Sequence, residues 1–333
     1  MSASGTTQRT LSTEWLLWVV ENLTIGASRA EVVDGLVTAG VDRDDASAVV
    51  AQVIASPAFA RIRADGVRGE MAERVLRAWP HGFDSVDRIA SIDRDEFYWQ
   101  HFAPMRPVIV TEQLRAMRAF EAWSFASLRT RLSSQRVAVT SDRTRVQRPA
   151  EIELRSETTS FADLLDHAEH GEGNDRYLVA RNGLLLEPGF RNLRADLDPL
   201  PPYLARGRDD ASWTSLWIGP RGTRTPLHFD PHAAILFQVR GSKRVRLIPP
   251  TETWLYEITD GCFARDDLAS GRLESHPSYR ANAVLDVVVN EGEAIFLPAL
   301  WWHEVDALAP SITVTMLSFP WPNDFHVVLG HGP

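Results

Sequence analysis

The sequence predicts a mainly β domain that is preceded by a small all-helical module. From about residue 100, short runs rich in β-branched residues alternate with Gly, Pro and Asp, as strands alternate with turns. No long amphipathic helix separates these runs after residue 210, which favours an antiparallel sandwich or barrel. We therefore assign residues 1–80 to the helical module and residues 81–333 to the β domain.

Caps and helical spacing predict the module, which we expect to be helical from residue 12 to about residue 80. Ser28 and Glu31 have the spacing of a capping box, and an apolar helical face follows them. Asp42 is suited to cap the next helix, and Ser56 followed by Pro57 is typical of a further helix start. Because no His, Cys or acidic cluster occurs here, we expect the module to serve recognition or homodimerisation rather than chemistry.

The predicted strands are short and closely spaced along the chain. In chain order they are Pro107–Thr111, Arg136–Thr140, Tyr177–Ala180, Ser215–Ile218, Ala234–Val239, Arg244–Ile248, Val284–Val289, Ala294–Leu297 and Ser311–Leu317. The stretch from Pro188 to Asp210 is predicted to be an irregular connection. The long insert from Cys262 to Ala283 is suited to wall a substrate groove.

The composition excludes several classes of function. The net charge of −9 argues against nucleic acid or an anionic membrane as a partner. The single cysteine, Cys262, excludes an internal disulfide framework, a cysteine-based zinc site and an iron–sulfur cluster. The first residues contain neither a basic segment nor a long apolar run, so we expect a cytoplasmic protein.

Two histidines and one aspartate are candidate metal ligands. His228 and Asp230 are two residues apart, so on a strand both side chains project from one face. His303 follows another predicted strand and turn. Two histidines and a carboxylate leave three adjacent positions open on iron, as non-haem Fe(II) oxygenases require, whereas zinc more often recruits a further strong ligand. The alternative is that His303 is a hydrogen-bonded core histidine.

The basic residues are 34 arginines and a single lysine, Lys243, which lies 15 residues after His228. A lysine that points into an apolar barrel is costly unless an anion meets it, so we interpret Lys243 as a candidate anion ligand. The segment from Arg221 to Arg246 holds six basic residues and one acidic residue, which also fits a small-anion site. The alternative is an ordinary surface lysine.

Three motifs together resemble a known enzyme family. They are Thr-Pro-Leu-His-Phe-Asp at 225–230, Phe-Gln-Val-Arg-Gly-Ser-Lys-Arg-Val-Arg-Leu-Ile-Pro-Pro at 237–250, and Leu-Pro-Ala-Leu-Trp-Trp-His-Glu-Val at 297–305. In this order and spacing they resemble the Jumonji-C or cupin-like 2-oxoglutarate and Fe(II)-dependent oxygenases. Within that family they look most like the asparaginyl hydroxylase that acts on hypoxia-inducible factor. The resemblance extends over roughly residues 88–320.

The resemblance implies a double-stranded β-helix, the cupin-like jelly roll, with flanking helices. It implies that His228, Asp230 and His303 hold Fe(II), and that O2 and 2-oxoglutarate are co-substrates. Lys243 and Thr225 would bind the distal carboxylate of 2-oxoglutarate, with Tyr177 as a further donor. The implied reaction hydroxylates an unactivated C–H bond of an amino-acid side chain in a peptide or protein and releases succinate and CO2.

The identity of the substrate is not implied by the resemblance. The chain has Ala234 and Leu317 where the asparaginyl hydroxylase has amide side chains, and Phe319 where it has a tryptophan. The residues that we expect around the substrate are Trp217, His232, Trp302, Leu317 and Phe319, with His232 at the rim. Three outcomes beyond side-chain hydroxylation stay open: demethylation through an unstable hydroxymethyl product, hydroxylation of a free small metabolite, and a non-catalytic metal-binding scaffold.

Overall fold

The structure is a computed structural model that describes residues 12–24, 26–62, 85–145, 156–179, 183–205 and 214–323. The chain divides into two compact units, Met1–Gly82 and Phe83–Pro333. The predictions of helix between residues 63 and 80 and of a strand residue at Ala180 lie outside the described residues. No helix in the described ranges is both long enough and apolar enough to cross a membrane.

The first unit contains helices α1 (Thr13–Thr24), α2 (Arg29–Thr38) and α3 (Arg43–Ala55), and a further helical segment covers residues 57–62. The predicted capping box is confirmed, because Ser28 accepts from the Glu31 amide while the Glu31 carboxylate accepts from the Ser28 amide. Asp42 caps α3 as predicted. The helices bury a small apolar core of their own, centred on Val19, Leu36 and Val50.

The second unit is mainly β and consists of two six-stranded sheets with helices around them. The strands are β1 (Asp87–Ile89), β2 (Val108–Val110), β3 (Arg136–Thr140), β4 (Ser156–Ser160), β5 (Thr214–Gly219), β6 (Arg224–Phe229), β7 (Ala234–Arg240), β8 (Lys243–Ile248), β9 (Thr259–Asp260), β10 (Phe263–Ala264), β11 (Leu285–Val289), β12 (Ala294–Leu297), β13 (Trp302–Ala307) and β14 (Ser311–Met316). The first sheet has the order β1-β2-β12-β7-β14-β5, and the second has the order β11-β8-β13-β6-β10-β9. Only the β1–β2 pair within these sheets is parallel, and β3 and β4 form a separate two-stranded sheet.

The helices of this unit are short. They are α4 (Arg94–Phe97), α5 (Arg118–Ala122), α6 (Phe125–Leu132), α7 (Phe161–His170) and α8 (Arg191–Asp196), and α4 continues into a π-helical turn, Tyr98–Phe102. Segments of 3₁₀ helix are Gln113–Ala116, Arg143–Arg145, Leu184–Leu186, Pro188–Phe190, Thr253–Ile258, Leu268–Ser270, Arg272–Ser275 and Ala281–Ala283. The prediction that the stretch from Pro188 to Asp210 is irregular is therefore wrong in part, because a 3₁₀ turn and α8 lie within it; residues 206–210 of this stretch lie outside the described residues.

Each face of the first sheet has a different neighbour. Its outer face, with Ile235, Phe296 and Val314, packs against the helices in the largest apolar cluster. Its inner face meets the inner face of the second sheet in another cluster, to which Leu236 and Val245 contribute from opposite sheets. Alternation along each strand therefore decides which side chains face the space between the sheets.

The insert between β8 and β11 covers the outer face of the second sheet. Its residues Trp254, Leu255 and Leu273 form an apolar cluster with strand residues such as Leu227 and Phe229. Beside this cluster lies a charged network in which Arg246 pairs with Glu304 and with Asp306. Burial raises the pKa of the Glu304 carboxyl to about 7, although Arg246 opposes the shift.

Candidate metal and co-substrate site

A β-bulge in β6 brings two predicted ligands of this strand to the same face: Thr225 for the co-substrate and His228 for the metal. β6 pairs with β13 so that His228 is opposite His303 and Thr225 is opposite Val305. Between these two pairs, Pro226 and Leu227 of β6 lie opposite the single residue Glu304 of β13. Strand β6 therefore has one extra residue. Strict alternation would place Thr225 and His228 on opposite faces, and the extra residue places both toward the interior.

The triad is assembled from two neighbouring strands and the loop that follows one of them. The ligand atoms of His228, Asp230 and His303 all lie within 4.8 Å of one another. The Asp230 Oδ2 atom is 3.9 Å from His228 Nε2 and 3.7 Å from His303 Nε2. Both histidines are buried, whereas the Asp230 side chain is 40% exposed, so the site is open on the carboxylate side.

Backbone carbonyl groups fix the tautomer of both histidines. His228 Nδ1 lies 2.8 Å from the Pro226 carbonyl oxygen, and His303 Nδ1 lies 2.9 Å from the Trp301 carbonyl oxygen. A carbonyl oxygen only accepts, so each Nδ1 carries the proton and donates it. Each Nε2 then presents a lone pair toward Asp230, which is the arrangement that metal coordination needs.

The electrostatics keep His303 neutral. Burial, together with the neighbouring His228, lowers the pKa of His303 to about 4. A neutral imidazole is the form that binds a metal. The donor set therefore fits a two-histidine, one-carboxylate metal centre.

Lys243 points into the interior on the same sheet as the triad. It is 2% exposed, and its ammonium donates to the Tyr177 hydroxyl oxygen at 3.0 Å. Among the residues that the structure describes, no carboxylate lies within 4.0 Å of this ammonium. A buried ammonium is costly to leave without an opposite charge, so the position of Lys243 is suited to an anionic ligand.

Two aromatic side chains surround this lysine. The Lys243 ammonium lies 5.7 Å from the Trp217 ring centroid, which is within cation–π range. The Trp217 Nε1 group donates to the Thr315 hydroxyl oxygen at 3.0 Å, and this bond fixes the indole on the inner face of β5. With Tyr177 the contact is a hydrogen bond, because the ammonium is nearer to the hydroxyl than to the ring centroid.

Residues 94–321 match the model of the cupin-like domain. The chain belongs to the cupin-like domain family. The two-sheet jelly roll with its inward-facing triad agrees with this membership.

Curated relatives of this cupin-like protein include Jumonji C proteins. Lysine-specific demethylase JMJ30 from Arabidopsis thaliana is 26% identical over 252 residues, which are 72% of this chain and 55% of that protein. Jumonji C domain-containing protein 5 from Drosophila melanogaster is 33% identical over 136 residues, 39% of this chain and 33% of that protein. HSPB1-associated protein 1 from Homo sapiens is 33% identical over 113 residues, 32% of this chain and 23% of that protein.

The chain thus covers about half of the first relative and a third or less of the other two. These relatives support the Jumonji-C, cupin-like assignment of the sequence. The more specific likeness to the asparaginyl hydroxylase stays a prediction.

Two residues expected around the substrate lie elsewhere in this cupin-like fold. Trp302 adjoins His303 on β13, so it projects to the opposite face, where it packs against Phe229 and Tyr256. Phe319 lies beyond the end of β14, where its amide donates to the Leu317 carbonyl oxygen and the strand alternation is lost. Phe319 packs instead on the helical side of the first sheet.

The remaining expected residues lie nearer the interior. His232 is 8% exposed, so it is buried rather than at an open rim. Leu317 is half-buried and follows the last residue of β14, Met316, whose side chain is on the outer face. Trp217 lies beside the Lys243 ammonium.

Sequence reasoning missed Phe263, which lies directly beside the candidate metal ligand His228. It is the register partner of His228 across β10 and β6, and its ring stacks on the imidazole with a centroid distance of 5.3 Å. The insert therefore contributes a wall to the site. The signal available in the sequence was the two-residue turn at Gly261, with φ of 65°, which makes β9 and β10 a hairpin.

Proposed function

We propose that the protein is a 2-oxoglutarate and Fe(II)-dependent dioxygenase that hydroxylates an unactivated C–H bond of an amino-acid side chain in a peptide or protein. The buried Lys243 ammonium, on the inner face that also carries the triad, is the observation that carries this proposal. A divalent metal, one aspartate and one lysine leave two formal positive charges. A dicarboxylate dianion balances them, whereas a neutral ligand leaves the ammonium uncompensated.

The residues of the chain divide the work of binding between two ends of the co-substrate. His228, Asp230 and His303 would hold the iron, and the keto-acid end of the co-substrate would lie toward these residues. Lys243 would pair with the distal carboxylate, and Tyr177 would donate its hydroxyl proton to the same group. Since the ammonium already donates to the Tyr177 oxygen, the phenolic proton is directed away from Lys243 and is the stronger donor for it.

The metal supplies dioxygen chemistry that the side chains lack. One oxygen atom of O2 enters succinate as 2-oxoglutarate loses CO2, and the other enters the C–H bond of the substrate, which becomes C–OH. The protein contributes orientation and exclusion of water through the buried surroundings of both histidines.

Contacts of the insert support a chain-like substrate. The β9–β10 hairpin extends the second sheet past β6 and places Phe263 beside His228. Asp230 is the exposed member of the triad, so substrate would approach along this side. With Phe263 of the hairpin on one side and the exposed Asp230 on the other, the site suits a peptide segment that lies across it.

Turnover of 2-oxoglutarate to succinate with Fe(II) and ascorbate tests the proposal. We expect succinate in the wild type and none in Asp230→Ala. Peptide-library mass spectrometry should then show one added oxygen, and formaldehyde release would identify a demethylation instead. Tight metal binding without any succinate would favour a non-catalytic scaffold and would contradict the proposal.

We further propose that the N-terminal helices form a homodimer contact. The module is built as a separate core, and Leu16 and Leu17 of α1 expose apolar surface. Gel filtration of the chain without residues 1–80 should show a smaller assembly than the full chain. An unchanged oligomeric state together with unchanged activity would refute this role.

A further inference from the structure

A second buried cation, Arg143, lies against Tyr177. Arg143 is 4% exposed, and its guanidinium carbon is 5.3 Å from the centroid of the Tyr177 ring. Tyr177 therefore meets two cations, with Arg143 against the ring and Lys243 at the hydroxyl oxygen. Positive charge near the ring favours electron withdrawal from the phenol, which makes its O–H group a better donor.

Arg143 also connects the segment of Tyr177 to strand β6. One terminal nitrogen of its guanidinium donates to the Arg224 carbonyl oxygen at 2.6 Å, and Arg224 precedes Thr225. The Nε group donates to the Asn174 Oδ1 atom at 3.3 Å. The same Asn174 oxygen accepts from the Arg224 amide at 2.8 Å, so the three groups close a small network.

The tight packing around Tyr177 makes this network consequential. A Cβ atom on Gly219 would lie 2.5 Å from Tyr177 Cδ2, so the ring already touches the backbone of β5 on that side. The Thr140 and Tyr177 backbones exchange hydrogen bonds of 2.9 and 3.0 Å. Because this backbone is fixed, the Arg143 guanidinium is placed to determine where the Tyr177 ring lies relative to β6.

We infer that Arg143 is a positioning residue for 2-oxoglutarate, acting through Tyr177. It would hold the Tyr177 hydroxyl at a fixed place relative to Thr225, so that both hydroxyl groups meet the distal carboxylate. The inference rests on the proposed function, because the carboxylate belongs to the co-substrate of that reaction. Arg143 itself need not touch the co-substrate.

A double-mutant cycle on the full chain tests the inference. Calorimetric titration of 2-oxoglutarate would use Mn(II) in place of iron, without turnover, on the wild type, Arg143→Met, Tyr177→Phe and the double variant. Arg143→Met should raise the dissociation constant of 2-oxoglutarate about tenfold in the wild type. In the Tyr177→Phe background the same change should raise it less than about twofold.

Two further measurements separate positioning from a general structural effect. Mn(II) affinity should stay unchanged in every variant, and Arg143→Lys should recover part of the 2-oxoglutarate affinity because it keeps the charge. Arg129→Met is the matched control, since Arg129 on α6 pairs with Asp166 and Glu169 on α7 and should leave 2-oxoglutarate binding unchanged. If Arg143→Met does not fold, Asn174→Ala removes the shared acceptor and enters the cycle in its place.

An equal loss of affinity in both backgrounds would overturn the inference, because Arg143 would then act independently of Tyr177. Lower Mn(II) affinity in Arg143→Met would also overturn it. If the wild type binds Mn(II) but no 2-oxoglutarate, the proposed function fails, and the inference fails with it. Binding by the wild type with an additive cycle leaves the proposed function standing and removes only the role of Arg143.

Discussion

Replacing Lys243 with methionine should change co-substrate binding and stability in opposite directions. Methionine keeps a long unbranched side chain and removes the charge. Loss of a charge-assisted pair to a buried carboxylate costs about 2–5 kcal/mol, which is about a 30-fold to 5,000-fold rise in the dissociation constant of 2-oxoglutarate. We expect a value in this range because the ammonium is 2% exposed and water does not replace it.

The stability of the protein without metal or co-substrate should rise in the same variant. An uncompensated buried ion costs several kcal/mol after relaxation. The variant also removes the hydrogen bond to the Tyr177 hydroxyl, and an unsatisfied buried hydroxyl costs about 1–3 kcal/mol. The net gain in the free energy of unfolding is then on the order of 1 kcal/mol. Combining Lys243→Met with Tyr177→Phe removes both polar groups and should increase this gain.

Two measurements check this prediction. Urea denaturation of the metal-free variants gives the free energy of unfolding, and calorimetry with Mn(II) gives the 2-oxoglutarate dissociation constant. Arg244→Met is a neighbouring control, because that side chain is 44% exposed and pairs with Asp286 outside the site. A less stable Lys243→Met protein whose affinity for 2-oxoglutarate stays within twofold of wild type would refute the reasoning.

Three other predictions follow from the same structure. His228→Ala should abolish Mn(II) binding and succinate formation together, as measured by calorimetry and turnover, whereas residual tight binding would mean that other ligands hold the metal. Gly219→Ala should raise the 2-oxoglutarate dissociation constant while Mn(II) affinity persists, because the added methyl would lie 2.5 Å from Tyr177 Cδ2 and must displace the ring. Arg246→Met should lower the free energy of unfolding by about 1–3 kcal/mol in urea titrations, because it removes the partner that Glu304 and Asp306 share, while the raised pKa of Glu304 lets this carboxyl take up a proton; an unchanged free energy of unfolding would contradict it.

Local rules predicted much of the fold, as particular elements show. The capping box at Ser28 and the cap at Asp42 satisfy orphan amides within one helical turn, so no tertiary information is needed to find them. The strands β7, β8 and β12 coincide with the predicted ranges within one residue, since each has a β-branched or apolar run with turns beside it. By contrast, the described part of the predicted strand that begins at Tyr177 forms isolated bridges, from Tyr177 to Thr140 and from Leu178 to Ile218.

The candidate site was predictable where its residues follow alternation within a strand. The inward side chain of Lys243 in β8 is such a case, whereas Asp230 lies one residue past the end of β6. Phe263 was not predictable in this way. It is brought to His228 by a hairpin within an insert, and no period in the sequence relates residues so far apart.

Side-chain direction depends on where alternation stops, and this explains Trp302 and Phe319. Trp302 belongs to β13 and obeys alternation, so its neighbour His303 takes the inner face and the indole takes the outer one. Phe319 lies past the last residue of β14, where a turn replaces the ladder. On a strand, the side chain next to a site residue therefore points to the opposite face. Beyond the end of a strand, the loop conformation determines the direction of each side chain.

Pro226 connects the two halves of the site through the bulge. A proline lacks an amide proton, so the ladder between β6 and β13 loses no donor there when the strand accommodates an extra residue. That extra residue turns Thr225 to the face of His228, while the Pro226 carbonyl oxygen accepts from His228 Nδ1 at 2.8 Å. One residue thus sets both the direction of a candidate co-substrate donor and the tautomer of a candidate metal ligand. The Thr-Pro-Leu-His spacing is therefore the local condition under which the candidate metal ligand His228 and the candidate co-substrate donor Thr225 face one interior.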